Sequence, residues 1–91
     1  MRNYEITTVY RTNAVEETKN SFKEILAKYS VNITTEEEWG NKKLWHPVDG
    51  QDHGYYTLFK CTAEPASIEK IENEAKLNQN ILKSLVIRQN G

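Results

Sequence analysis

From Gly40 to Tyr56 the chain reads GNKKLWHPVDGQDHGYY, a stretch holding one of its two tryptophans and both of its histidines. Two lysines, two aspartates and a proline complete a dense set of functional groups. Three readings are open: a catalytic or metal loop, a nucleic-acid contact, or a hairpin with crowded strands. Pro47 disfavours helical backbone at His46, so Lys43 to Val48 runs extended. Gly40 suggests a bulge or bend where that run begins. Asp49-Gly50 and His53-Gly54 bracket a turn. The backbone chemistry thus predicts a strand–loop–strand hairpin.

Working outward, Val31 to Glu38 reads as a strand leading into Trp39-Gly40. Tyr55 to Ala63 (YYTLFKCTA) reads as the strand leaving the loop. Upstream lies a helix. Thr12-Asn13 offers an N-cap, and Glu16 and Glu17 fall in the first turn, where the helix dipole favours negative charge. Val15, Phe22, Ile25, Leu26 and Tyr29 then form one apolar stripe. Downstream, Glu64-Pro65-Ala66-Ser67 begins a second helix with its proline near the first turn. Ile68, Ile71 and Ala75 supply its inner stripe, and Asn78-Gln79-Asn80 ends it. Asn3 to Tyr10 and Ile81 to Arg88 are the outermost strands.

The order β-α-β-β-α-β predicts a ferredoxin-like α+β fold: a four-stranded antiparallel sheet with both helices on one face. No linker or repeat divides residues 1–91, which are read as a single domain. Tyr56, Leu58, Lys60 and Thr62 share one face of the third strand, and Tyr55, Phe59, Cys61 and Ala63 the other. Large apolar groups on both faces predict that the uncovered face meets a partner.

Composition narrows the function. Twelve basic residues against 13 acidic ones give a net charge of −1. A non-specific polyanion binder would show a strong basic excess, although a local patch can still contact RNA. With Cys61 as the only cysteine, an intrachain disulfide is excluded and nothing points to an oxidising compartment. The start, MRNYEITTVY, lacks the apolar core of a signal peptide, and no apolar run reaches the ~18 residues of a membrane span. The expected location is the cytoplasm.

Catalytic constellations are missing from the sequence. His46, His53, Cys61 and Asp52 are scattered, whereas zinc ligands usually come in close pairs, so neither metal nor cofactor is expected. Cys61 sits mid-strand, where burial raises a thiol's pKa and leaves it inert. In Thr35-Glu36-Glu37-Glu38 adjacent side chains point to opposite faces, and the run is read as a solvated edge rather than a cation site. The fold order also belongs to the RNA-recognition motif, and His53-Gly54-Tyr55-Tyr56-Thr57-Leu58 echoes its third-strand core. Tyr56 replaces the small residue of that motif, and Thr57 the second stacking aromatic, so base stacking on the sheet is not expected. What remains is a set of cations near strand ends: Arg2, Lys42, Lys43, Lys83 and Arg88. If the first and last strands pair antiparallel, Arg2 and Arg88 lie close together and can grip phosphates.

Three segments resemble one family. Met1-Arg2-Asn3-Tyr4-Glu5-Ile6 matches M-R-x-Y-E. Glu38 to Val48 (EWGNKKLWHPV) is similar to (D/E)-x-G-x-(R/K)-x-L-A-Y-P-I, and Ile81 to Arg88 to a basic, apolar closing strand. Together they resemble the bacterial small-subunit ribosomal protein S-six family over nearly the whole chain. The resemblance implies a structural protein, not an enzyme. It implies binding to the central domain (platform) of 16S ribosomal RNA, as a heterodimer with ribosomal protein S-eighteen. By the same resemblance Arg2, Tyr4, Lys42, Lys43 and Arg88 are expected at the RNA, joined by Lys83 from the strand-end cations; Tyr4 is equally suited to packing, and Lys42 and Lys43 to the protein partner. Trp45, His46, Tyr56 and Leu58 are expected at the protein partner. Trp45-His46 departs from the family's Ala-Tyr and makes the hairpin bulkier. The acidic loop Asp49 to His53 stands where relatives often carry lysines. The alternative is a non-ribosomal ferredoxin-like module that binds a small ligand or pairs with itself.

Overall fold

The computed structural model describes residues 1–48 and 50–89; Asp49, Asn90, Gly91 and the side chain of Trp45 lie outside the described residues. The elements run β1 (Arg2–Tyr10), α1 (Val15–Lys28), β2 (Asn32–Val48), β3 (Gln51–Ala63), α2 (Pro65–Lys76) and β4 (Ile81–Gln89). The sheet order is β2-β3-β1-β4, with every neighbouring pair antiparallel. This is the ferredoxin-like arrangement that the element order predicts.

Directly paired residues share a face, so the register sorts the sheet into rows. Glu36–Phe59–Ile6–Val86 and Ile33–Cys61–Tyr4–Arg88 lie on one face. The helices cover it: Phe22 and Leu26 of α1 and Ile71 and Ala75 of α2 pack with Tyr4, Ile6, Phe59, Cys61 and Ala63 in one core. Phe22 meets Phe59 at 5.7 Å between ring centroids, tilted by 38°, a geometry that aromatic quadrupoles favour over a face-to-face stack. Both rings are fully buried, and each side chain removed from water contributes roughly 1.5–3 kcal/mol.

On this face the buried hydroxyls of Thr8, Thr57 and Tyr10 pair with one another, whereas the buried Ser84 hydroxyl, opposite Thr8, has no hydrogen-bond partner among the described residues. Thr8 and Thr57 each donate to the Tyr10 hydroxyl, at 2.9 and 3.1 Å, and their own hydroxyls lie 2.6 Å apart. Burial pushes the Tyr10 hydroxyl's pKa up, against the pull of those two partners. Along the β2 edge, Lys19 and Lys23 stand one helical turn apart on α1. They pair with Glu38 and Glu36, which stand two residues apart on the strand. Glu36 and Glu38 are exposed on this edge strand, in line with the solvated edge expected of the run, and their ion pairs to the helix are what the expectation did not include. Two of the three carboxylates clamp the helix, and Glu37, on the other face, accepts from the Trp39 indole at 3.2 Å.

Two expectations change. Helix α1 begins after Ala14 with no side-chain cap; Thr12 and Asn13 are spent on a turn closed by the Ala14 amide on the Arg11 carbonyl at 3.2 Å. His53-Gly54 is not a turn. Val48 pairs with Gln51, and Gly50 before it takes φ +77°; Asp49, the other half of the expected turn signal, lies outside the described residues. Gly54 lies inside β3 opposite Lys42, where a Cβ would come within 2.3 Å of Val9 Cγ1 and 3.3 Å of Leu44 Cδ2. The glycine is there for close approach. Gly40, by contrast, does mark a bulge: the register shifts between Glu38 and Gly40, and the backbone reaches φ +84°.

Candidate nucleic-acid and partner interfaces

The register decides where the six expected RNA-contacting residues go. Arg2, Tyr4 and Arg88 meet at one end of the sheet. Tyr4 and Arg88 are direct partners, and Arg2 lies two residues from Tyr4 on the same helix-covered face. Both arginines are exposed and make no ion pair among the described residues. Their proximity, expected from strand pairing, is borne out by the β1–β4 register. Tyr4 is only 7% exposed and belongs to the core, which leaves it the packing role beneath the arginines.

The lysines sit elsewhere. Lys83 is opposite Val9 on the uncovered face, five residues and hence about 17 Å along β4 from Arg88. Lys42 and Lys43, paired with Gly54 and His53, point to opposite faces of the hairpin. The Lys42 ammonium stands 5.6 Å over the Trp39 ring, a cation–π contact. Lys43 lies beside the Asp52 carboxyl, which a hydrogen bond from His53 holds below the usual carboxylate range. The cations thus form one arginine pair and three separate lysines.

The uncovered face has its own rows: Gly40–Tyr56–Val9–Lys83, then Glu37–Leu58–Thr7–Leu85. The hairpin curls over the first of these, because Leu44 reaches across Gly54 towards Val9, and both leucine and valine are buried. Leu44, His46, Val48, Tyr56 and Lys83 line a concavity of ≈ 300 Å³. Among the expected partner residues, His46 is exposed, Tyr56 half-buried, and Leu58 only 6% exposed within its own sheet. Trp45 belongs to β2, but its side chain lies outside the described residues.

The exposed apolar side chains of this face are others: Leu85 (48%) and Ile87 (47%) on β4, and Trp39 on β2. Sequence reading did not assign them to a partner. The signal was the alternation of Leu85 and Ile87 with the inward-facing Val86, readable once Val86 is known to face the helices.

Cys61 is buried and burial raises its thiol's pKa, which keeps it unreactive at neutral pH. In the hypothetical metal set Asp52 and His53 touch each other through a hydrogen bond. Among the described residues no three His, Cys, Asp or Glu side chains converge as metal ligands.

A model of the family described as ribosomal protein S6 matches residues 3–88. The chain belongs to the ribosomal protein S6 family. A small ribosomal subunit protein bS6 of Leptospira biflexa is 57% identical over 91 residues, covering all of both chains. One from Azobacteroides pseudotrichonymphae is 35% identical, over 99% of this chain and 84% of its own. The crystal structure of 30S ribosomal protein S6 from Thermotoga maritima superposes with a TM-score of 0.85 at 22% identity, covering 97% of this chain and 87% of that one. The C-terminal domain of the MgtC protein from Mycobacterium tuberculosis shares the fold at a TM-score of 0.67 and 13% identity, over 98% and 88% of the two chains. The fold alone therefore does not specify function; membership of the S6 family does. The protein is a non-enzymatic structural constituent of the bacterial small ribosomal subunit, in the cytoplasmic ribosome.

Proposed function

We propose that this S6 protein binds the central domain, or platform, of 16S ribosomal RNA together with ribosomal protein S-eighteen during subunit assembly. Arg2 and Arg88 serve as phosphate ligands, and the uncovered sheet face serves the protein partner. One observation carries this division: two exposed arginines share the helix-side end of β1 and β4 with no acidic partner among the described residues, while the exposed apolar side chains of the strands, Trp39, Leu85 and Ile87, lie on the opposite face. Arginine suits the first role because its planar fork matches phosphate oxygens. Lys42 and Lys43 flank the hairpin on both sides, so one can face RNA while the other faces protein. A net charge of −1 supports shared binding, since neutralising many phosphates requires more cations than this chain offers alone.

The test is a salt titration of binding to a central-domain RNA fragment, with and without S-eighteen. The expected result is weak binding alone and tight, salt-sensitive binding of the pair. Arg2→Ala and Arg88→Ala each reduce the steepness of the log K against log salt plot by about one. Unchanged slopes in both variants would remove the arginines from the interface. A stable homodimer that ignores RNA at every salt concentration would support the self-pairing alternative instead.

A further inference from the structure

Ser84 carries a buried hydroxyl that has no hydrogen-bond partner among the described residues. Such a group costs stability until something bonds to it. It lies on the helix-covered face, opposite Thr8, where α2 and β4 leave a cavity of ≈ 190 Å³ between them. Ser84 lines that cavity with Ile81 and Leu82 of the strand and with Glu72, Ala75 and Lys76 of the helix.

Charge selects the occupant. Glu72 is half-buried, and its carboxylate makes no ion pair among the described residues. Lys76, one turn on, is exposed to solvent, and Lys83 directs its side chain to the other face of the sheet. The cavity also sits at the last turn of α2, where the helix dipole is negative. Its interior is therefore negative, with apolar walls from Ala75, Ile81 and Leu82. An ammonium on a short alkyl chain fits this setting: it donates to the Glu72 carboxylate and to Ser84 Oγ, and its methylenes lie along the walls. Glu69 stands one turn before Glu72 on α2, exposed and without an ion pair among the described residues. Carboxylates at that spacing repel each other, so a second ammonium on the same ligand is favoured there.

We propose that the α2–β4 cavity binds a free linear diamine or polyamine, with one terminal ammonium held between Glu72 and Ser84 and the next beside Glu69. The site lies apart from both the arginine pair and the uncovered face. It stands independently of the RNA and partner readings above.

Amide chemical shifts of the full chain, followed by nuclear magnetic resonance during a putrescine titration, read the site directly. The expected result is a saturable change centred on Ala75, Lys76 and Ser84. Butylammonium, with a single charge, is expected to bind there about threefold more weakly. Glu72→Gln weakens putrescine binding at least about tenfold, and Ser84→Ala about fivefold. Glu69→Gln brings putrescine down to the level of butylammonium. Thermal melts establish that each variant folds; for any that does not, the ligand comparison on the wild-type chain decides alone. Pentanol binding as tightly as butylammonium would make the cavity an apolar site. Acetate binding there would make it an anion site governed by Lys76. Magnesium giving the same shifts at equal ionic strength would reduce the effect to general counter-ion attraction. Shifts that never saturate, or that ignore both Glu72→Gln and Ser84→Ala, would place the amine elsewhere. Any of these results overturns the proposal.

Discussion

On the helix-covered face the row Glu36–Phe59–Ile6–Val86 is closed from above, its one charge paired to Lys23 at 2.6 Å. One residue further along the same strands, the row Glu37–Leu58–Thr7–Leu85 has no layer over it and ends in a half-exposed leucine. Both rows come from the same four strands, and a single-residue change of parity separates them. The covered face spends its apolar area on stability. The open face keeps part of its apolar area available, which is what a protein built for assembly requires.

The contrast can be broken by substitution. Phe59→Ala should cost about 3–5 kcal/mol in a denaturant melt, as expected for a buried aromatic. Leu85→Ser should cost less than about 1 kcal/mol. Similar losses for the two would mean that the open face contributes to the core after all.

Gly54 sharpens the boundary, because it marks a place where the open face is closely packed. Gly54→Ala must push against Val9 and Leu44, and the expected loss is about 1–3 kcal/mol. A neutral result would show that the hairpin lifts from the sheet without cost.

The smallest expected effect lies between the helices. Tyr29 donates to the Glu74 carboxylate, and Lys28 does so at 3.1 Å; together they hold that carboxyl below its ordinary range. A carboxyl with a depressed folded pKa stabilises above its unfolded value, and that contribution is lost as pH falls through the folded value. Melting temperatures measured from pH 7 down to 3 should therefore fall less steeply for Glu74→Gln than for wild type. Parallel curves would show that the α1–α2 bridge adds no acid-sensitive stability.

Much of this was legible in the chain. Strand period, the apolar stripe of α1, Pro65 and the Gly40 bulge are local signals, and each element appears in the order they predict. What was not legible depended on long-range register. His53-Gly54 looked like a turn because glycine is the same letter in a turn and at a close approach; only the position of Val9 and Leu44 tells them apart. Lys42 and Lys43 are neighbours in sequence yet diverge across the sheet. Leu58 appears available by parity, but in a central strand its neighbours on both sides bury it, whereas Leu85 on an edge has only one. The candidate interface was therefore readable as a face and not as a set of residues.

The hydroxyls of Thr8, Thr57 and Tyr10 satisfy one another inside the core. If β1 slipped by one position against β3, Thr8 would lose Thr57 as its direct partner, and the cost of stranded buried hydroxyls would oppose the shift. The same slip would turn Leu85 towards the helices and Val86 outward if β4 followed β1. Three side chains that need never touch RNA or protein thus act as an alignment key, settling which surface the rest of the ribosome meets.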